Sequence, residues 1–144
     1  MGTFTMANRG LYTLLNSATT GSTDLRALVF KTTTPTVAAI RDMDTVADLL
    51  AATTEAAAAG YGRIDLASVA ITESDASDNV VISAAAPTTA AIATGETWLG
   101  IAYYVEGASD AARMLIGVDV PTSSQVTNGG TITLPALTVT TTGS

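Results

Sequence analysis

The chain has 144 residues, one domain's worth, enough to bury roughly two-thirds of the surface that its unfolded form exposes. It contains no cysteine and no histidine, which removes disulfides, thiolate metal sites, thiol nucleophiles and every Ser-His, Cys-His or His-zinc arrangement. Six basic residues stand singly against thirteen acidic ones for a net charge of -7, so the clustered Lys/Arg footprint of a nucleic-acid-binding surface is missing.

In chain order, residues 1–22 read as an N-terminal arm or a short helical turn, with Leu11, Tyr12, Leu14 and Leu15 ahead of a Thr/Ser/Gly stretch. Residues 23–144 read as a single β-rich domain. TDLRALVFK places Leu25, Ala27 and Val29 on one face and Leu28 and Phe30 on the other, a strand that needs cover on both sides. TTTPT ends it, because Pro35 cannot donate to a ladder. From Asp44 the period changes: Val46, Leu49, Leu50 and Thr53 fall at i, i+3, i+4 and i+7, and Thr45 with Asp48 has the pattern of a capping box. A short helix is therefore predicted over about residues 45–59, running through polyalanine and stopping at Gly60 in a left-handed conformation.

YGRIDLASVAIT alternates, ESDASDN (73–79) is a polar turn, and VVISA is the returning strand. AAPTTAAIATG reads as small-residue loop or edge strand. The stretch ETWLGIAYYVEGASDAARMLIGVDV (96–120) reads as a hairpin with Asp110 and Arg113 as solvated charges near its tip, followed by a loop, PTSSQVTNGG. TITLPALTV is a closing strand that Pro135 ends or pushes to an edge. Short strands punctuated by turns, with one helix, predict a mainly β fold: a compact antiparallel β-sandwich or barrel.

Little in these elements carries chemistry. Catalysis would have to rest on carboxylates or on Lys31, the single lysine. Glu73, Asp75, Asp78 and Asn79 offer oxygen ligands of the kind calcium takes, but the segment lacks the central Gly and terminal Glu of an EF-hand loop and reads as a hairpin turn. Carboxylate pairs without an aromatic-lined cleft do not make a glycosidase. NGG (128–130) is a turn signal, and no Gly-rich loop leads into a Lys-Ser/Thr helix start. The expectation is a non-enzyme with no cofactor and no metal. The mean hydropathy of +0.38 comes mainly from alanine, and no apolar run approaches the ~18 residues of a spanning helix. MGTFTMANRG shows neither a secretory pattern nor, with Met6 where Ser or Thr is wanted, a myristoylation motif, so no membrane partner is expected.

The aromatic residues raise a sharper question. The chain has one tryptophan, four tyrosines and two phenylalanines, yet Trp98, Tyr103 and Tyr104 fall in one strand. Strict alternation sets Leu99, Ile101, Tyr103 and Val105 against Trp98, Gly100, Ala102 and Tyr104, and on the returning strand Met114, Ile116, Val118 and Val120 against Leu115, Gly117 and Asp119. The first face of each strand is core. The second needs a cover, which is either the helix from Thr45 or another subunit, since Trp and Tyr commonly anchor interfaces. Trp98, Tyr104 and Leu115 are thus candidates for a subunit contact, and Phe4, Leu11 and Tyr12 in the arm are candidates for contact with a neighbour.

The landmarks in succession, TDLRALVFK, DTVADLLAATTEAAAAGYGRIDL, SDNVVISAAAP, GETWLGIAYYVEGASDAARMLIGVDV and NGGTITLP, resemble a family of small structural proteins of tailed bacteriophages, found among head decoration (capsid cement) proteins. The resemblance spans about residues 23 to 135. Its most specific pieces are Gly60, Tyr61 and Arg63 after the capped helix, Tyr103, Tyr104 and Gly107 in the hairpin, and Leu115, Ile116, Gly117 and Asp119 on its return. It implies a compact β subunit that binds the outside of the assembled head, with the major capsid protein as partner and self-association as a homotrimer. The implied location is the virion, assembled in the host cytoplasm, and the implied role is stabilisation of capsomer contacts. The alternative is a phage tail component: tail tube, tail tip or fibre. The Ala/Thr-rich loops and the segment before Arg9 depart from the family pattern, which leaves the docking surface open.

Overall fold

The computed structural model describes residues 3–7, 24–74, 76 and 79–142. In chain order these form β1 (Thr3–Met6), β2 (Leu25–Lys31), α1 (Val37–Asp42), α2 (Val46–Ala52), β3 (Thr54–Glu55), β4 (Ile64–Asp65), β5 (Ala70–Ser74), β6 (Asn79–Ala84), β7 (Thr97–Trp98), β8 (Gly100–Val105), β9 (Met114–Val120), β10 (Gln125–Val126) and β11 (Leu137–Thr142). A large antiparallel sheet has the order β1-β9-β8-β2-β3, with β4 pairing β2 farther along; β11-β6-β5 form a small sheet and β10-β7 a two-stranded ribbon. The fold is mainly β, as the short alternating runs and turn signals require.

Both faces of the large sheet are covered. On one side Leu25, Ala27, Val29, Ile101 and Tyr103 meet Ile82, Ala84, Leu137 and Val139 of the small sheet. On the other, Leu28, Phe30, Ala102, Tyr104 and Leu115 meet Ile40 and Met43 beside α1 and Val46 and Leu49 of α2. The alternation read in β2 thus holds residue by residue, and the helix does cover the second face. Burying each large aliphatic side chain of this kind contributes roughly 2 kcal/mol.

Three features differ from the sequence reading. First, residues 3–6 are not a free arm: β1 pairs with β9 from Thr3↔Val120 to Met6↔Gly117 and closes one edge of the large sheet. Second, the helix from Thr45 keeps its predicted cap but ends at Ala52 instead of 59. Thr45 Oγ1 accepts from Asp48 N at 3.2 Å, and the Asp48 carboxylate accepts from Thr45 N at 2.9 Å. Thr53 is already extended and its hydroxyl donates to Lys31 O, while Ala56 N donates to Val29 O at 2.9 Å. Alanine's helix propensity is a few tenths of a kcal/mol per residue, about the scale of one such tertiary hydrogen bond, so a set of them overrides it. Gly60 does take a positive φ of 90°, but in a turn whose backbone lies against Ala91 O, leaving no room for a Cβ. Third, α1 follows Pro35 directly. Thr36 caps it by accepting from Ala39 N at 3.2 Å, and only Ile40 is buried, so the hydrophobic periodicity that announces a helix is absent.

The hairpin also departs from strict alternation, twice. Pairing steps from Tyr103↔Gly117 to Tyr104↔Leu115, which leaves Ile116 as the extra residue of a β-bulge. Ile116 therefore joins the core between the sheets while Leu115 and Val118 join the helix side. At Leu99 the strand breaks: Trp98 pairs with Gln125 of β10, and Leu99 N donates to Phe30 O at 2.9 Å.

Candidate functional site

That break decides the fate of the predicted interface residues. Trp98 is 2% exposed and lies in the core between the sheets, whereas Tyr104 and Leu115 are fully buried on the helix side. The three side chains occupy opposite faces of the large sheet and are covered by their own chain, so they do not form a subunit contact. Phe4 is partly buried, its ring centroid 6.0 Å from that of Tyr103 and its edge over Gly117, so it too serves the fold. Leu11 and Tyr12 lie outside the described residues.

Trp98 is held by a hub built on Glu96. The Glu96 carboxylate accepts from Trp98 Nε1 at 2.9 Å, from Ala57 N and Ala58 N at 3.1 Å, and from Lys31 Nζ. Burial opposes its charge, but these four donors outweigh burial and hold its pKa down to about 2. The N–H groups of Ala57 and Ala58 in the polyalanine run are thereby satisfied by a carboxylate instead of a helix. Tyr61 packs edge-on to Trp98 at 5.8 Å, accepts from Val29 N at 2.9 Å and donates to Glu55, filling the gap in the β2 ladder between β3 and β4.

Asp110 and Arg113 are not solvated charges. Arg63 bridges Glu55 (2.7 Å) and Asp110, Arg113 bridges Asp110 (2.8 Å) and Glu106 (2.6 Å), and Arg26 reaches Glu106 (3.3 Å) and Asp65 (2.8 Å). The Arg63 guanidinium also sits 5.7 Å over the Tyr104 ring. Hydrogen bonds from Arg63 lower the pKa of Asp110, and those from Arg113 lower that of Glu106. Carboxylates kept ionised in this way are poor general acids; the cluster instead ties the hairpin tip to β2, β3 and β4. The residues that carried the family resemblance are thus largely structural: Tyr61 and Arg63 join these networks, Gly107 leaves only 2.7 Å between a would-be Cβ and Ala112 O, and Gly117 seats Phe4.

Two stretches of the chain carry no charge. No Asp, Glu, Lys or Arg stands from Asn79 to Gly95 or from Val120 to Ser144, and the fold brings these two segments together. β6 pairs with β11 along its whole length, Thr89 N donates to Ile132 O, Ile92 N to Gly130 O and Leu134 N to Pro87 O, and Thr88 faces Thr133. Because Ile82, Ala84, Leu137 and Val139 point into the core, alternation turns Val81, Ser83, Thr138 and Thr140 outward, beside Ala70 and Thr72 of β5. The result is a neutral wall of small and β-branched side chains on the outer face of β6 and β11. The sequence signal was the absence of charge in two separate stretches, which single-residue candidates overlook.

No family model, no curated protein and no solved structure matches the chain.

Proposed function

We propose that the chain is a non-enzymatic virion subunit, a capsid decoration (cement) protein that docks on the outer surface of a phage head through its charge-free wall and self-associates as a trimer. The wall is the observation that carries this reading. Interface centres are depleted of charged residues because a charge desolvated without a partner costs several kcal/mol, and here two uncharged stretches are gathered on one side. A chain of net charge -7 repels its own copies, and the neutral side is where they approach without burying like charges. The landmark resemblance and the covered core support a rigid subunit that contributes contact area. Many copies binding the assembled lattice and not its free subunits shift the equilibrium toward the intact shell, and trimers multiply a modest contact by avidity.

The test is to mix the purified protein with undecorated heads and locate it by electron microscopy. Regular density on the outer face of the head is the expected result; density along the tail, or none on any particle, overturns the proposal.

A further inference from the structure

The loop between β10 and β11 contains Asn128-Gly129-Gly130, a turn anchored on both sides. Before it, Thr127 is 2% exposed; its N–H donates to Glu96 O at 2.9 Å, its carbonyl accepts from Gly95 N at 3.1 Å and its hydroxyl accepts from Glu96 N at 2.9 Å. After it, Gly130 O accepts from Ile92 N at 3.0 Å. Between these anchors Asn128 and Gly129 are exposed. Asn128 Oδ1 accepts from Gly130 N at 3.0 Å, which folds the side-chain amide back along its own main chain. Among the described residues the Gly129 N–H meets no acceptor, and Asn128 Nδ2 donates to none.

We propose that Asn128 is a site of spontaneous modification, where the fold leaves the asparagine–glycine pair open to imide formation. Gly129 N gives its proton to hydroxide and attacks Asn128 Cγ. The new N–C bond closes a five-membered ring; the Cγ–Nδ2 bond breaks, and the departing nitrogen takes a proton from water and leaves as ammonia. The Gly130 N–H, already on Oδ1, is placed to stabilise the negative charge that grows on that oxygen during attack. Water then opens the ring at either carbonyl, giving aspartate, or isoaspartate in which the main chain runs through the side-chain carbon. The net change is amide plus water to carboxylate plus ammonia, with no oxidant or reductant. Asn8, Asn16 and Asn79 precede Arg, Ser and Val, whose side chains crowd the attacking nitrogen; Asn128 alone precedes glycine. The product carries a charge into the stretch from Val120 to Ser144, which otherwise has no Asp, Glu, Lys or Arg.

The test is to incubate the folded whole chain at pH 7 and pH 8 beside the blocked peptide Val-Thr-Asn-Gly-Gly and to map the products by mass spectrometry. The expected result is a gain of about 1 Da at Asn128, divided between aspartate and isoaspartate, at a rate within about tenfold of the peptide's. Conversion should run about tenfold faster at pH 8 than at pH 7, because the nucleophile is the deprotonated amide. Asn128→Gln, whose longer side chain has to close a six-membered ring, should gain no mass over the same period. Conversion more than tenfold slower in the folded chain than in the peptide, a gain at Asn8, Asn16 or Asn79 ahead of Asn128, or aspartate without isoaspartate would overturn the proposal. No capsid enters this experiment, so its result and the head-binding result stand or fall separately.

Discussion

Gly117 and Glu96 show how much single positions carry. A Cβ on Gly117 would overlap the Phe4 ring and crowd Thr5 O, so Gly117→Ala must displace β1 or turn the ring out. We expect a loss of about 1–3 kcal/mol, read as a lower urea midpoint, with the Phe4–Tyr103 contact weakened. Glu96 has a folded-state pKa near 2 against an ordinary 4.5, so its ionised form is the one the fold prefers. A depressed carboxylate contributes stability in full above its unfolded pKa and loses it as pH falls from about 5 toward 2. Thermal melts should show wild type ahead of Glu96→Gln by roughly 2 kcal/mol at pH 7, with the gap closing by about pH 2. Neither role was legible beforehand, since the donors to Glu96 come from Lys31, the Ala57–Ala58 backbone and Trp98, groups that only the fold assembles.

At the scale of elements, local signals succeeded where the deciding bonds were local. The Thr45–Asp48 capping box lies within four residues and needs no tertiary help, so it appeared where read. Thr45→Ala should cost about 1 kcal/mol in chemical denaturation, while Thr45→Ser should restore most of it. The helix end was misplaced because polyalanine propensity is weak beside the pairing of Thr54 and Glu55 with β2. In the hairpin, alternation held in β2 but failed at Leu99 and at Ile116, since a bulge leaves no mark in a run of apolar residues. That is why Trp98 and Tyr104, assigned to one face, lie on two.

For the whole molecule the governing feature is where charge is placed. Arginines and carboxylates knit the hairpin tip to β2, β3 and β4, whereas β6, β11 and the chain from Pro87 to Gly95 and from Pro121 to Ala136 carry none. If the wall is the docking surface, a charge at its centre should harm binding and spare the fold. Thr140→Glu places a carboxylate on the exposed face of β11 opposite Val81. We expect stability within about 0.5 kcal/mol of wild type but occupancy on heads reduced at least tenfold, measured by sedimentation of mixed samples. Equal loss of fold and binding, or no loss of binding, counts against the wall.

The sequence by itself determined the class of fold, the two-faced strand β2, the capped helix start, the hairpins and the absence of histidine and cysteine chemistry. Each of these depends on residue type or on spacing within one segment. Only the tertiary structure decided which face Trp98 occupies, that residues 3–6 belong to a sheet, that polyalanine is pinned by Glu96, and that two uncharged stretches share one wall. These are matters of contact between residues far apart along the chain, and alternation or composition within a segment holds no record of the partner on the other side.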